Sequence, residues 1–211
     1  MSPPGQAKGL NRKAQARSGL ARRGGTGAAR PPGEVRIIGG RLKRSRLPVP
    51  DLPGLRPTPD RVRETLFNWL GQDLAGWRVL DAFAGSGALG FEAASRGAAE
   101  VLLIERESSL ARSLGATRER LGAAALQVVC ADALTWMARC PASRFDLVLL
   151  DPPFDAGLGE RALALAAPLV AAAGFIYLES ADAAAPPPAG FEPWRSLRAG
   201  IVQAQLMKRT G

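Results

Sequence analysis

The sequence predicts an α/β protein built on a doubly wound, mostly parallel sheet. From Trp77 onward, short apolar segments alternate with segments of helical periodicity, and a glycine-rich turn follows the first of them. Strands that alternate with helices form parallel sheets, because each helix carries the chain back across the sheet to the start of the next strand. A basic N-terminal stretch with a different pattern is predicted to add a small β-hairpin and a helix.

The predicted extension begins with a strand at 35–38, followed by a turn at Gly39 and Gly40 and a proline-rich loop at 48–59. A helix is predicted from Pro59, with Thr58 as its cap, since a Thr hydroxyl can accept from a free N–H and Pro has no N–H to leave unpaired. The apolar face of this helix has helical spacing and consists of Val62, Leu66, Trp69 and Leu70.

The main domain is predicted to contain seven strands. They lie at 78–80, 101–104, 126–129, 145–150, 175–178, 194–197 and 202–207. The intervening helices are predicted at 88–96, 108–121, 134–138 and 158–172. The strand at 145–150 is almost continuously apolar, which predicts a central position with both faces buried.

The charge of the 211 residues is unevenly distributed. The whole chain carries +9, yet residues 1–50 have a single acidic residue, Glu34, so the rest of the chain is slightly acidic. Such a basic segment favours a polyanionic partner, nucleic acid before membrane, and the alternative is a solvated tail that only adds solubility. We divide the chain into a disordered basic leader at 1–33, an extension at 34–71 and a main domain at 72–211.

The turn after the first strand of the main domain has the spacing G-x-G-x-x-G, from Gly85 through Ser86 and Gly87 to Gly90. Glycines let the backbone approach a ligand, and the following helix offers free N–H groups. The same pattern occurs in dinucleotide dehydrogenases, but Asp81 in front of it suits a ligand with an ammonium and a sulfonium better than a pyrophosphate. A turn that only improves helix packing is the alternative.

Acidic residues also follow the next two strands. Glu105 could accept both hydroxyls of a ribose, and Asp132 could accept from an adenine amino group. Each has a simple alternative, an exposed acid at a strand end for Glu105 and a helix cap for Asp132. Together with Asp81 they match the three parts of an adenosyl amino acid.

The fourth strand of the main domain ends in Asp151, Pro152, Pro153 and Phe154. Two prolines fix the backbone and remove two N–H donors, which leaves a carboxylate, a bare carbonyl and an aromatic ring. Acceptors beside a flat apolar face suit a planar group that bears an NH2. The alternative is a strand-ending turn with a buried Phe.

At these residues the chain resembles the class I methyltransferases with a Rossmann-like sheet, and among them the amino-methyltransferases with a (D/N)PP(F/Y) motif. Three segments resemble the RsmD family more specifically: VRIIGG at 35–40, LRPTPDRVRETLFNWL at 55–70 and DAFAGSGALGFEA at 81–93. The resemblance runs from about residue 34 to the end of the chain, and the basic leader is not part of the family's usual pattern.

The resemblance implies an enzyme that methylates N2 of a guanine, guanine 966, in bacterial 16S ribosomal RNA. It implies S-adenosylmethionine as the methyl donor, no metal, and the small ribosomal subunit or its RNA as partner. The expected catalytic residues are Asp151, Pro152, Pro153 and Phe154, and the expected cofactor residues are Asp81, Gly85, Ser86, Gly87, Glu105 and Asp132. The expected RNA contacts are Arg36, Arg41, Lys43, Arg44, Arg56, Arg61 and Arg63.

Other classes of protein fit the sequence less well. The chain has no histidine, which excludes Ser-His-Asp and Cys-His nucleophiles, and Cys130 and Cys140, expected to be buried, form no CxxC pair. An NAD-dependent oxidoreductase would leave Asp81 and the Asp-Pro-Pro-Phe turn unexplained, whereas methylation of another base or of DNA stays open. No apolar run could span a bilayer and no signal peptide is recognisable, so we expect a cytoplasmic monomer.

Overall fold

The computed structural model describes residues 33–50, 58–153, 157–181 and 184–211. The predicted leader therefore lies outside the described residues, apart from Gly33. So do two of the predicted functional residues, Arg56 and Phe154. Residues Pro31–Gly211 form one unit by their internal contacts, so the extension and the main domain belong to the same unit.

The extension consists of an antiparallel hairpin and a helix, as predicted. Strand β1 (Gly33–Arg36) pairs with β2 (Arg46–Val49), and helix α1 covers Asp60–Trp69. Buried Val62, Leu66 and Phe67 on α1 join the same apolar core as the hairpin and the central sheet. The extension is thus packed into the protein and does not stand apart as an arm.

The central sheet has seven strands, numbered here along the chain. They are β3 (Arg78–Asp81), β4 (Glu100–Glu105), β5 (Leu126–Cys130), β6 (Phe145–Leu150), β7 (Val170–Ser180), β8 (Phe191–Ala199) and β9 (Val202–Arg209). Their order is β5-β4-β3-β6-β7-β9-β8; the first five in this order are parallel, and β9 runs antiparallel to both of its neighbours. The predicted doubly wound sheet is confirmed, and β6 occupies its centre.

Helices cover both faces of this sheet. They are α2 (Ala88–Ser95), α3 (Ser108–Arg120), α4 (Ala133–Met137) and α5 (Leu158–Ala166). The core on one face joins the sheet to the hairpin, α1, α2 and α3, and the core on the other face joins it to α4 and α5. The strand order reverses between β3 and β6, and in such sheets a ligand binds beyond the carboxyl ends of the strands at this point.

A buried ionic cluster, the Glu92 cluster, fastens the extension to α2. Its members are Arg63 on α1 and Glu92 and Arg96 at α2, with side chains 0%, 0% and 3% exposed. The Glu92 carboxylate accepts from both arginines and from the backbone N–H groups of Ile38 and Gly39, each 2.8 Å away. Cations and backbone donors together satisfy this buried charge, which fixes the hairpin turn against the helix.

The hairpin turn is also shaped to fit α2. The N–H of Arg41 donates to the carbonyl of Ser95 over 2.8 Å. Gly40 has φ +70°, and a Cβ there would overlap the Ser95 carbonyl oxygen. Only glycine therefore allows this close approach of the turn to the helix.

Three predictions at the level of single elements are wrong. Thr58 does not cap α1, because Pro59 occupies the cap position and the Thr58 side chain is engaged elsewhere. The helix predicted to reach 172 ends at Ala166, and a short 3-10 turn at Ala167–Leu169, which contains Pro168, leads into β7. Cys130 and Cys140 were both expected to be buried, but Cys130 is exposed and Cys140 is only partly buried.

Among the described residues, no helix is long and apolar enough to cross a membrane.

Candidate active site

The register of the sheet brings four acidic residues to one edge and one face. Asp81 pairs with Leu103 on β4 and with Leu149 on β6, and Leu149 pairs with Tyr177 on β7. Side chains two residues apart on a strand share a face. The acids two positions beyond these partners, at the carboxyl ends of β4, β6 and β7, therefore lie on the same side as Asp81; they are Glu105, Asp151 and Glu179.

Asp81 stabilises the glycine-rich turn from the buried side, by hydrogen bonds to its backbone. Its carboxylate accepts from the N–H of Gly90 at 2.9 Å and from the backbone of Phe83, and the residue is 1% exposed. A Cβ on Gly90 would overlap Leu103, so glycine is needed for this approach. Asp81 is thus a buried anchor of the turn, and this burial does not favour the predicted direct contact with a cofactor.

The turn itself has the geometry expected of a ligand loop. Gly85 and Gly87 have φ of +53° and +79°, a left-handed conformation that favours glycine. A Cβ on Gly87, which precedes the first turn of α2, would press on Leu114 and Phe91. The turn therefore keeps the backbone close to the helix start, where free N–H groups are available.

Glu105 connects this turn to the end of β4. One carboxylate oxygen accepts from the N–H of Gly85 and the other from the N–H of Glu107, both at 2.8 Å. Each oxygen keeps a second lone pair, so the carboxylate can still accept from the hydroxyls of a ribose. The structure therefore fits the predicted role of Glu105, which the contacts themselves do not test.

Asp132 caps α4. Its carboxylate accepts from the backbone N–H of Thr135 at 2.8 Å, and hydrogen bonds from Thr135 lower the pKa of this exposed acid. In this structure Asp132 is therefore a helix cap, which is the alternative to its predicted contact with adenine. A cleft of about 440 Å³ begins at Asp132 and follows α4 to Arg144. Of the predicted cofactor residues only Asp132 lines this cleft, so the cleft alone does not define the cofactor site.

The Asp-Pro-Pro segment leaves β6 at the point where the strand order reverses. Asp151 is half-buried, Pro152 is buried and Pro153 is exposed. One carboxylate oxygen of Asp151, Oδ2, accepts from the hydroxyl of Thr58 at 3.2 Å. This contact explains why Thr58 does not cap α1, and it ties the extension to the predicted catalytic residue.

Glu179 belongs to the site but was not predicted. It is 2% exposed at the end of β7, and its Oε1 accepts from the Tyr177 hydroxyl at 2.8 Å. The Thr58 hydroxyl also interacts with it. The sequence contained the signal, since Glu179 directly follows the predicted strand at 175–178, as Glu105 and Asp151 follow theirs.

The three acids nearest the strand reversal, Asp81, Asp151 and Glu179, form what we call the acid cluster. Burial raises the pKa of all three, to about 7 for Asp81 and well above its ordinary value for Asp151. Mutual repulsion adds to this effect, because Glu179 raises the pKa of both aspartates. No ion pair among the described residues neutralises the cluster, so a cationic ligand would find a favourable potential there.

Comparison with known proteins shows the family of the chain. The family model described as "Conserved hypothetical protein 95" matches residues 35–208. "Ribosomal RNA small subunit methyltransferase D" of Escherichia coli K12 is 42% identical over 181 residues, which cover 84% of this chain and 91% of the relative. The chain belongs to the RsmD family. The protein of the same name from Haemophilus influenzae is 44% identical over 137 residues, 63% of this chain and 70% of the relative.

Solved structures of similar proteins share the fold. A putative methyltransferase from Escherichia coli superposes with a TM-score of 0.77 at 39% identity, over 84% of this chain and 99% of that chain. A putative methylase from Haemophilus influenzae gives 0.72 at 34% identity, over 85% and 100%. The class I methyltransferase fold predicted from the sequence is therefore confirmed.

In this RsmD-family chain, most of the predicted RNA contacts are exposed. The exposed residues are Arg36, Arg41, Lys43, Arg44 and Arg61, and Arg56 lies outside the described residues. The prediction for Arg63 is wrong, because its side chain is fully buried in the Glu92 cluster. Helical spacing contained this signal, since Arg63 is on the same face of α1 as Leu66 and Phe67.

The exposed basic surface extends further than predicted. Arg61 and Thr65 on α1 line a small groove together with Leu197, Arg198 and Ala199 of β8. The turn from β8 to β9 lies beyond the pair Ser180–Gln203, at the carboxyl edge of the sheet. At its tip Ile201 is 61% exposed. The β8–β9 turn therefore lies at the same edge of the sheet as the acid cluster, with the exposed Arg198 near the end of β8 and the exposed apolar side chain of Ile201 in the turn.

Proposed function

We propose that this protein transfers a methyl group from S-adenosylmethionine to the exocyclic N2 of a guanine in bacterial 16S ribosomal RNA. The observation that supports it most is the half-buried Asp151 carboxylate at the strand reversal, which is joined to the RsmD-family extension by the hydrogen bond from Thr58. By resemblance, the expected target is guanine 966. Relatives over most of the chain are named for methylation of small-subunit ribosomal RNA.

Asp151 would act as an acceptor for the substrate amino group. A guanine amino nitrogen shares its lone pair with the ring, and hydrogen bonds to Asp151 and to the Pro152 carbonyl would favour a more tetrahedral nitrogen with an available lone pair. Phe154 would stack on the base, a contact worth roughly 1–3 kcal/mol in nucleic-acid complexes. The base has to be unpaired or flipped out to reach these groups.

The methyl donor supplies an activated methyl group when it is bound. The protein's part is to hold the donor and keep it oriented. We assign its ribose to Glu105, its amino acid part to the turn at Gly85, Ser86 and Gly87, and its adenine to Asp132. The buried Asp81 would act on it through the turn and by its charge. The acid cluster favours a cationic donor of this kind over a dinucleotide, whose pyrophosphate it would repel.

The RNA would lie across the exposed cations of the extension. The proposed contact set contains Arg36, Arg41, Lys43, Arg44, Arg56 and Arg61 but not the buried Arg63, and it also includes Arg198 near the end of β8. Contacts between cations and phosphates give affinity that falls steeply with salt, whereas the pocket around Asp151 selects the base.

The decisive experiment is transfer of labelled methyl groups from S-adenosylmethionine to ribosomal RNA, followed by nucleoside analysis. Naked 16S RNA and small-subunit particles, both from a strain that lacks this gene, serve as substrates. We expect N2-methylguanosine at one position, and no product with the Asp151→Ala protein. Product at N6 of adenine or N4 of cytosine would refute the guanine assignment, and efficient methylation of DNA would refute the RNA assignment.

Cofactor binding can be tested separately by calorimetry. S-adenosylhomocysteine should bind and NADH should not. Glu105→Ala should weaken S-adenosylhomocysteine binding by about 1–3 kcal/mol, because hydrogen-bonding groups would be left unpaired. Glu107→Ala is the matched control, since the exposed Glu107 contributes only its backbone N–H to the Glu105 carboxylate. Unchanged affinity in Glu105→Ala would remove Glu105 from the site.

A further inference from the structure

Glu179 and Thr58 lie beside the proposed catalytic carboxylate, yet the proposed function gives neither of them a role. Both are buried, with exposed fractions of 2% and 5%. They come from opposite parts of the chain, Glu179 from the end of β7 and Thr58 from the segment that precedes α1. A buried carboxyl and a buried hydroxyl at this place require an explanation.

The side chains form a continuous series of polar contacts. The Tyr177 hydroxyl donates to Glu179 Oε1 at 2.8 Å, and the Thr58 hydroxyl lies between Glu179 and Asp151, 3.2 Å from Asp151 Oδ2. Thr58 is itself fixed, because its carbonyl oxygen accepts from the side chain of buried Arg63 at 3.3 Å. The Glu92 cluster thereby holds the hydroxyl in place.

The number of hydroxyl hydrogens limits how many hydrogen bonds this series of side chains can form. Thr58 has one hydroxyl hydrogen, and donation to Asp151 Oδ2 leaves Oδ1 of the same carboxylate for another donor. The Tyr177 hydrogen is used on Glu179. Two carboxyls thus compete for the hydroxyl hydrogen of Thr58, and the ionisation of one depends on the other.

We propose that Thr58 and Glu179 are positioning residues for Asp151: Thr58 holds Oδ2 so that Oδ1 faces the substrate amino group, and Glu179 is the second carboxyl that contacts the same Thr58 hydroxyl. This inference rests on the proposed function, in which Asp151 is the acceptor. It adds two residues that act on the reaction through Asp151 and do not touch the substrate.

The two residues act on Asp151 in opposite directions. Burial and the negative charge of Glu179 raise the pKa of the Asp151 carboxyl, whereas the hydrogen bond from Thr58 lowers it. The titratable groups that face Asp151 among the described residues come from two strands: Asp81 on β3, and Tyr177 and Glu179 on β7. Because an ionised carboxylate is a stronger acceptor for the amino group than a protonated carboxyl, the rate should fall on the acid side as Asp151 becomes protonated.

The test is the pH dependence of single-turnover methyl transfer to the RNA substrate, with enzyme and cofactor saturating. In Glu179→Gln the acid limb should move to lower pH by about one unit, the effect of removing one like charge nearby. On that limb the variant should be about tenfold faster than the unmodified protein at the same pH. In Thr58→Val the limb should move to higher pH, and Thr58→Ser should restore the original profile.

A merely structural role would lower the rate at every pH and would not move the limb in two directions. Affinity for S-adenosylhomocysteine, measured by calorimetry, should stay the same in all variants and shows that the site is folded. If Glu179→Gln does not fold, Tyr177→Phe replaces it; loss of the donated hydrogen bond disfavours ionised Glu179, so the shift should again be toward lower pH but smaller.

Limbs that coincide in the unmodified protein, Glu179→Gln and Thr58→Val would overturn the inference. So would a limb that moves in the same direction in both variants. Asp151→Ala separates this failure from failure of the proposed function. If Asp151→Ala is inactive while the limbs coincide, only the positioning role is lost, whereas a fully active Asp151→Ala protein removes the acceptor role and the inference with it.

Discussion

The protein withdraws carboxyl groups from solvent in two places, which differ in whether cations lie beside them. In the Glu92 cluster, two arginines and two backbone N–H groups surround one carboxylate. In the acid cluster, Asp151 accepts a hydrogen bond from the hydroxyl of Thr58 and Glu179 accepts one from the hydroxyl of Tyr177. No cation among the described residues pairs with either carboxyl group. A carboxylate that is fully paired with cations suits a structural contact between two elements. Acidic groups without a cation are retained at sites that a ligand completes.

The two clusters are also connected. Arg63 donates to Glu92 and, through its Nε, to the carbonyl of Thr58. The hydroxyl of the same threonine reaches Asp151. The compensated cluster therefore provides a rigid support for the uncompensated one, and rigid support is what precise orientation of a reacting group requires.

The largest expected effect comes from breaking the compensated cluster. Arg63→Met should lower the free energy of unfolding by about 3–5 kcal/mol, because it removes one partner of a fully buried ion pair. Arg61→Met, two residues away but exposed, is the matched control and should change stability by less than about 0.5 kcal/mol. Urea denaturation measures both. Equal stability of the two variants would mean that the Glu92 cluster contributes nothing beyond its packing.

The second effect separates activity from stability in the acid cluster. Asp151→Asn should lower the rate of methyl transfer by roughly 100-fold or more, the scale seen when a preorganised group at a reacting centre is lost. The free energy of unfolding should not fall, since the surroundings of Asp151, Glu179 among them, already disfavour the charged form that the substitution removes. Activity assays and urea denaturation on the same preparation give both values. A large loss of stability would make Asp151 a structural residue.

Sequence reasoning predicted the alternation of strands and helices well, because apolar periodicity reports which residues are buried. It also located Asp81, Glu105 and Asp151, which the register of the sheet then brings to one edge. It did not predict the partner of a polar side chain. Thr58 matched the pattern of a helix cap and Arg63 that of a surface cation, yet packing of the extension on the sheet gives each a buried partner. Such contacts join segments far apart in sequence, which local patterns do not report.

A third, smaller effect concerns stability and pH. Burial raises the pKa of Asp81 to about 7, above the value of roughly 3.9 in an unfolded chain. The folded state then binds the proton more tightly, so this contribution to stability is complete below about pH 4 and is lost as the pH rises through 7. Asp81→Asn keeps one acceptor for the turn and should flatten the fall in stability between these pH values.

Asp146 is the control of opposite sign. Partial burial acts to raise its pKa, but hydrogen bonds from Arg78 outweigh this and lower it. Its contribution is therefore present above the ordinary carboxyl pKa and is lost as the pH falls, so Asp146→Asn should reduce stability mainly near neutral pH. Urea denaturation at a series of pH values distinguishes the two. If Asp81→Asn left the pH dependence unchanged, the buried acid would have to be ionised throughout the range.

The smallest expected effect lies outside both clusters, on the basic surface next to the acid cluster. Arg198→Ala should weaken RNA binding modestly and lower the slope of log affinity against log salt by about 0.7–0.9, the amount expected for one phosphate contact.

The matched control for Arg198→Ala is Arg195→Ala on the same strand. The exposed Arg195 stacks on Trp194 at 4.9 Å and lines no part of the groove beside α1. Stability and cofactor affinity should be unchanged in both variants, because neither side chain is buried. Equal salt slopes for Arg198→Ala and Arg195→Ala would exclude Arg198 from the RNA surface and confine that surface to the extension. A lower slope in Arg198→Ala alone would mean that the RNA surface continues from the cations of the extension, across the groove beside α1, to the end of β8.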